Sequence, residues 1–429
     1  MIGIVMFFVA LVLLLVGFPV AFTFGGVALI FGVFAEGPDI FAFMPFRIQS
    51  IMENTVLMAV PLFIFMGLVL QKTKLAEQLL ESMGKLFGGV RGGLAISTVL
   101  VGALLAASTG VVGASVVAMG LISLPVMLKY NYDKKLACGT ICASGTLGQI
   151  IPPSIILIIL GDVLGIPVGD LFKAAIGPGA VLIGVYIIYI LAYTYLKPEA
   201  APAMPMDDDV ANKAQQYRKA LIAIIPPLAL ILVVLGSIFA GIATPTESSA
   251  LGGVGALVLA LLYRQFSWKM VMESATETVK VTAMVFAILL GATAFSMAFT
   301  YTGGDYIVEE ILSDLPGGAT GFLLLSMLAI LVLGFFIDFV EISFIIVPIL
   351  APVADLLGIA PVWFAILIAM NLQTSFLTPP FGFSLFYLKG VSPPEVRTLD
   401  IYRGVVPFIL MQVAVVITIL VFPSFYGLT

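Results

Sequence analysis

The chain has 429 residues, of which 61% are hydrophobic and 10% charged, with a mean hydropathy of +1.20. A soluble chain carries about 25% charge, so this composition reads as a polytopic membrane protein. The apolar runs fill nearly the whole length without a G-x-x-x-x-G-K-[ST] phosphate loop, which excludes an ATP-hydrolysing domain. The net charge of −5, with the basic residues in short loops, leaves no footprint for nucleic acid.

Taken in order, residues 1–17 and 19–35 are apolar runs meeting at Gly17-Phe18-Pro19, which predicts two helices and a short turn. The opening Met1-Ile-Gly-Ile-Val has no basic n-region, so a first span is expected rather than a cleaved signal. Residues 36–54 carry Glu36, Asp39, Arg47 and Glu53 in a partly amphipathic pattern that predicts an interfacial helix. A span over about 55–71 and a second amphipathic stretch from Gln71 to Arg91 follow. Gly92–Leu128 is apolar but interrupted at Ser108-Thr-Gly-Val-Val-Gly-Ala-Ser115, the pattern of a helical hairpin that enters the membrane and returns. Beyond the loop Lys129–Lys135 lies Thr140–Ile155, apolar yet broken by glycines, hydroxyls and Pro152-Pro153. The two prolines remove backbone donors and clash with the preceding turn, so a broken helix is predicted. Cys138 and Cys142, one turn apart on it, have no further metal ligands and read as small packing residues, and the chain has no histidine. Gly161–Lys173, a span over about 174–196 and a polar linker over 197–219 complete the first half.

The second half repeats this plan, with spans at about 220–240, 245–262 and 276–300 and an acidic amphipathic stretch at Asp305–Asp314. An interrupted apolar segment over 319–357 breaks at Phe335-Phe-Ile-Asp-Phe-Val-Glu341. A second broken helix follows at Asn371-Leu-Gln-Thr-Ser-Phe-Leu-Thr-Pro-Pro-Phe-Gly-Phe-Ser384, then Lys389–Arg403 and a last span to about 422. One separation of 227 residues aligns the halves, carrying Gly25-Gly26 to Gly252-Gly253, Pro125 to Pro352, Pro152-Pro153 to Pro379-Pro380, Pro167 to Pro394 and Gly177 to Gly404. Each half is expected to cross five times, an odd number, which makes the repeats inverted. That arrangement puts 17 of the 19 basic residues, Lys134 among them, on one side and Arg47 and Lys173 on the other. The rich side is then cytoplasmic and both termini are periplasmic.

Broken helices at corresponding places in two halves point to a transporter's binding site. Free carbonyls at a break can replace the water around a sodium ion, with Ser and Thr hydroxyls adding ligands, while half-helix N-termini offer N–H groups to an anion. The first candidate sodium site is Ser108, Thr109, Gly110 and Ser115 with Gly145 and Thr146; the second is Asp338 with Thr374, Ser375 and Thr378. Candidate substrate contacts at the same interruptions are Gly113, Gln149, Pro153, Pro380 and Gly382. Small and hydroxyl residues also serve close helix contact, the alternative role for any one of them. Asp338 is either an ion ligand or proton carrier, or the N-cap of the hairpin's second arm. Glu341, three residues on, is expected to be the partner in that cap, and Glu247 in Thr244-Pro-Thr-Glu-Ser-Ser249 to cap its own helix. No basic residue lies in the predicted core, so an anionic substrate would rely on helix dipoles, co-bound cations, or Arg47 or Lys173 near the outer mouth. A channel, a structural subunit and an intramembrane enzyme are the competing classes; the last lacks histidine or any paired catalytic set.

The chain resembles the large membrane subunit of tripartite ATP-independent periplasmic (TRAP) transporters over essentially all its residues. The resemblance rests on Ala107-Ser-Thr-Gly-Val-Val-Gly-Ala-Ser115, Gly145-Thr-Leu-Gly-Gln-Ile-Ile-Pro-Pro-Ser154, Ala243-Thr-Pro-Thr-Glu-Ser248 and Leu377-Thr-Pro-Pro-Phe-Gly382. It implies an all-α fold of two inverted repeats working as an elevator in a bacterial inner membrane. The scaffold would be 1–91 and 174–318, the transport domain 92–173 and 319–400, and the final span 401–429. It further implies sodium as coupling ion with no other cofactor, sodium sites at the two clusters named above, and import of an organic acid, with the match leaning toward the sialic acid type. The implied partners are a periplasmic substrate-binding protein and a small four-helix membrane subunit, a span block not expected ahead of Met1.

Overall fold

Glycine and proline set the helix boundaries. The structure, a computed structural model, describes residues 2–73, 75–110, 112–203 and 210–428, with side chains left undescribed at 75–77, 85, 106–109, 210–217, 219 and 220. Helix α1 (Ile2–Val16) stops at Gly17, whose φ of +101° an L side chain rarely adopts, and α2 (Val20–Glu36) restarts directly after Pro19. The predicted interfacial helix over 36–54 is instead a 3-10 turn at Pro38–Phe41 and a short α3 (Met44–Met52) without a buried residue. Next come α4 (Ala59–Lys72), α5 (Leu75–Phe87) and the hairpin arms α6 (Gly93–Thr109) and α7 (Val112–Lys129). Asp133 caps α8 (Lys134–Thr146) by accepting the Lys135 N–H at 2.7 Å. That helix tightens to a 3-10 turn at Leu147–Gln149, gives way at the two prolines and resumes as α9 (Ile155–Val163). The break is where Pro152 and Pro153 forbid a continuous helix.

Helix α10 (Val168–Leu196) begins ahead of the span expected from 174. Helix α11 (Val210–Phe239) starts inside the stretch expected to be linker, because polar residues there extend the helix rather than end it. After α12 (Pro245–Leu262), α13 (Trp268–Tyr301) begins eight residues ahead of the span expected from about 276 and runs on as one long helix. Then follow α14 (Gly304–Ser313), α15 (Ala319–Leu333) and a hairpin return made of one turn, α16 (Phe339–Glu341), a π turn over Ile342–Ile346, and α17 (Val347–Leu356). The second broken helix is α18 (Pro361–Leu377) and α19 (Phe383–Val391), and α20 (Thr398–Val421) closes the chain. Among the described residues there is no strand.

Among the described residues, seven helical segments, including α7, α10, α12, α13 and α20, are long and apolar enough to cross a bilayer by themselves, and the chain is a multi-pass membrane protein. Its outer surface suits hydrocarbon: Phe34 is 89% exposed and Ile242 80%. The separation of 227 residues holds in three dimensions, since α7 at 112–129 falls on the return arm at 339–356. The halves interlock rather than stand apart. Helix α2 packs on α13 and its repeat partner α12 packs on α4, so the two pairs exchange under the pseudo-two-fold. Glycines permit these approaches: a Cβ on Gly291 would lie 2.5 Å from the Ala21 carbonyl oxygen, and one on Gly252 2.6 Å from Met66 Sδ. The α8–α20 crossing is a mutual glycine contact, with a Cβ on Gly139 placed 2.2 Å from the Gly404 oxygen. Where α10 meets its counterpart α20, Gln412 Nε2 donates to the buried Tyr186 hydroxyl at 2.8 Å, one register position from exact repeat equivalence.

Candidate functional site

Both predicted interruptions of the first half meet. Gly110 turns the hairpin tip at φ +60°, and a Cβ there would touch Ile155 Cγ1 at 3.0 Å, so the tip abuts the start of α9. The first turns of α7 lie against the last turn of α8 at near-backbone contact. A Cβ on Gly145 would sit 2.4 Å from Val116 Cγ2 and 3.1 Å from Val116 N. Ser115, the residue before Val116, is buried, as are Thr146 and Ser144. Thus Gly110, Ser115, Gly145 and Thr146 share one region, while the side chains of Ser108 and Thr109 lie outside the described residues. Thr146 Oγ1 donates to the Ala143 carbonyl at 2.9 Å. A hydroxyl spent as a donor in this way keeps its oxygen lone pairs for a cation.

The second cluster is built the same way. A Cβ on Gly334, at the end of α15, would strike Ser375 Oγ, which fixes the hairpin turn against α18. Phe339, next to Asp338, contacts Phe376 with ring centroids 6.1 Å apart. Thr374 Oγ1 donates to Met370 O at 3.0 Å, Ser375 Oγ to Leu372 O at 2.7 Å and Thr378 Oγ1 to Thr374 O at 2.7 Å. Asp338 is the N-cap of the return arm and accepts the Phe339 N–H at 2.7 Å. Glu341 does not complete a capping box. Asp338 bonds the adjacent N–H rather than the third, the helix then widens into the π turn, and Glu341 Oε2 is left buried without a partner. Glu247 does form its box, with Thr244 N donating to Glu247 Oε2 at 2.8 Å and Glu247 N to Thr244 Oγ1 at 3.2 Å.

The candidate substrate contacts divide. Gln149 and Pro153 are buried beside the first break, and Gly382 packs on the end of α18, where a Cβ would lie 2.7 Å from the Phe376 oxygen. Pro380 is exposed, and its carbonyl accepts the Tyr402 hydroxyl at 3.0 Å. Gly113 faces across the molecule: its Cβ would meet the Tyr387 ring of α19 at 2.9 Å. Tyr387, 41% exposed, therefore sits where the first hairpin's return arm approaches α19. Sequence reasoning missed it; the one available signal was a phenol between Phe386 and Leu388 on α19. The carbonyls of residues 149 and 376, repeat equivalents, each accept a serine hydroxyl, from Ser154 at 2.6 Å and Ser384 at 2.7 Å. Those two oxygens are thus partly committed, and the hydroxyl set carries more of any cation's coordination.

With this geometry described, the chain can be compared with known proteins. Residues 7–425 match the model of the family described as tripartite ATP-independent periplasmic transporter, DctM component. The large permease of an ectoine/5-hydroxyectoine TRAP transporter of Ruegeria pomeroyi is 31% identical over 97% of this chain and 96% of its own length. That of a C4-dicarboxylate TRAP transporter of Pseudomonas aeruginosa is 30% identical over 90% and 89%, and that of a sialic acid TRAP transporter of Vibrio cholerae 29% over 96% and 95%. In fold, the chain is similar to the YdaH transporter of Alcanivorax borkumensis, whose crystal structure is described as having an unusual topology. The TM-score is 0.64 at 13% identity, covering 100% of this chain and 99% of that one. The all-α, multi-pass membrane fold expected from the sequence is thereby matched by a solved transporter fold. With two broken helices, two membrane hairpins and a family match across nearly its whole length, this chain belongs to the DctM component family of the tripartite ATP-independent periplasmic transporters, a membrane permease subunit and not an enzyme.

Proposed function

We propose that the chain carries an organic acid inward together with sodium ions, sliding hairpins and broken helices as an elevator against a fixed frame. The observation that supports this most is the pairing of each hairpin turn with a helix break rich in buried hydroxyls. Those of Thr146, Thr374, Ser375 and Thr378 donate to carbonyls of their own helix, which leaves their oxygens as acceptors suited to a monovalent cation. Ser108, Thr109, Gly110, Ser115 and Gly145 complete the first sodium site in this reading, and Asp338 the second. Gly113, Gln149, Pro153, Pro380 and Gly382 border the acid. The relatives' three cargoes, ectoines, C4-dicarboxylates and sialic acid, lie at nearly equal identity, so likeness does not choose among them. A tripartite system requires two further components, here a periplasmic binding protein that delivers the acid and a small membrane subunit. The chain would sit in the bacterial inner membrane with both termini periplasmic.

Reconstitution tests this. Proteoliposomes holding the chain and its small subunit, with binding protein outside, should accumulate labelled acid only under an inward sodium gradient and with saturation. Accumulation without sodium would overturn the coupling, equilibration without saturation would indicate a channel, and uptake without binding protein a stand-alone carrier.

A further inference from the structure

Two glutamines stand out among the buried polar groups. Gln149, in the 3-10 turn of the first break, is 1% exposed, and Gln373, in the last turn of α18 before the second break, is 0% exposed. In both, Nε2 and Oε1 lack any hydrogen-bond partner. Neighbouring polar groups are satisfied: Asn371 Nδ2 donates to Met327 O at 2.6 Å, and Thr374 and Ser375 are bonded within α18. Burying an amide without a partner costs about 1–3 kcal/mol. Four orphaned amide atoms at two helix breaks are therefore a persistent penalty unless a partner arrives during the working cycle.

The two residues come from opposite halves, on elements that touch. The turn that carries Gln149 packs against α18, which carries Gln373. Gln373 is the repeat equivalent of Thr146, so both occupy the last turn ahead of a break. The partner's chemistry follows from what else could receive an acid. Among the described residues, the buried set contains no Lys or Arg, and its one charged member is Glu341. The ammonium groups of Lys134 and Lys389 are committed at helix ends, Lys134 Nζ to Glu395 O at 2.9 Å and Lys389 Nζ to Val396 O at 2.7 Å. The hydroxyls of the breaks have spent their protons on carbonyls. Primary amides are then the strongest uncommitted side-chain donors at the breaks.

We infer that Gln373, together with Gln149, reads the carboxylate of the transported acid, each amide N–H donating to it. This rests on the proposed function and extends it by naming a recognising residue in the second half. The amide oxygens also suit a hydroxyl or N–H on the acid beside its carboxylate.

Glutamate is the informative replacement. In proteoliposomes with the small subunit and binding protein, labelled sialic acid, succinate and ectoine are offered and the cargo taken by wild type is followed. Gln373→Leu should raise KM for that cargo by about tenfold, and Gln373→Glu by more, through like-charge repulsion. Sodium half-saturation should stay unchanged in both. Gln149→Leu should reproduce the KM effect if Gln373→Leu does not assemble, and melting of the purified variants reports on folding separately. A lower sodium half-saturation in Gln373→Glu with cargo KM unchanged would make the amide a cation ligand and overturn the inference. Shifts in melting alone, with both kinetic constants unchanged, would reduce the pair to a structural water site and also overturn it. Absence of sodium-driven uptake by wild type would instead sink the functional reading, and this inference with it.

Discussion

The sharpest consequence of the geometry is at Gly145. A methyl group there would lie 2.4 Å from Val116 Cγ2 and 3.1 Å from both Val116 Cα and N. Ordinary contact needs about 1 Å more, and Val116 cannot turn away, since a β-branched residue in a helix has essentially one rotamer. Val116 is fully buried, so α7 itself must move. Overpacking of this kind costs about 1–3 kcal/mol. It also displaces Ser115 and the hairpin tip by about 1 Å, where a binding constellation tolerates about 0.5 Å. Gly145→Ala should therefore lower the melting temperature and raise sodium half-saturation by about tenfold or more. Val116→Ala removes the offending methyls at a cost of about 2 kcal/mol of its own. In the double variant the two losses should fail to add, by at least about 1 kcal/mol. Gly184→Ala on α10, with no neighbour within 4 Å of its Cβ, is the matched control and should be neutral or slightly stabilising. Strict additivity in the cycle, or a Gly145→Ala protein with unchanged melting and sodium response, would refute the close approach of α7 and α8.

Other consequences can be checked with the same preparations. Asp338→Asn keeps an acceptor for the Phe339 N–H but removes the charge, so sodium activation should weaken while melting holds; Asp338→Ala should lose a further ~1 kcal/mol with the cap. Unchanged sodium dependence in Asp338→Asn would remove Asp338 from the ion site. Glu247→Ala removes the carboxylate arm of its capping box while the backbone N–H of residue 247 still reaches Thr244 Oγ1, and it should lower the melting temperature slightly with little change in transport kinetics. Gly113→Ala crowds the Tyr387 ring, and Tyr387→Ala should relieve it; cargo KM is the readout, and equal KM in Gly113→Ala and wild type would show the ring swings aside freely. A cysteine replacing the exposed Lys135 should react with an impermeant thiol reagent only from the cytoplasm, the native Cys138 and Cys142 being buried; labelling from outside would invert the topology.

How much of this was legible follows from what local chemistry encodes. Proline and glycine forbid or permit backbone conformations wherever they stand, so the hairpins, both breaks and the 227-residue repeat were readable one segment at a time. The polar starts of α11 and α13 were misjudged for the complementary reason: polarity says where a helix leaves the membrane, not where it ends. Convergence was the illegible part. Tyr387 meets Gly113 from more than 270 positions away, and Gln149 approaches α18 only because the halves interlock. Glu341 looked like a cap partner because its spacing fits an α turn, but Asp338 bonds the adjacent Phe339 N–H instead, the helix widens only after Glu341 into the π turn over Ile342–Ile346, and Glu341 Oε2 stays buried without a partner.

The two sides of each break are chemically unlike, and that asymmetry suits the transport of opposite charges. The end of α8 and the end of α18 present carbonyls and hydroxyls already used as donors, an environment for cations. The starts of α9 and α19 present N–H groups that no side chain caps: Ser154 gives its hydroxyl to the Gln149 carbonyl, and Gly382 has none to give. A cation on one side of a break lowers the cost of an anion on the other, because each offsets the other's field in a region of low dielectric. An acid alone finds no cationic side chain in this core, since among the described residues Lys and Arg are missing from the buried set. Under the function proposed above, loading sodium and acid together would let each be desolvated and carried, and their coupling would be a property of the backbone breaks themselves rather than of a separate gate.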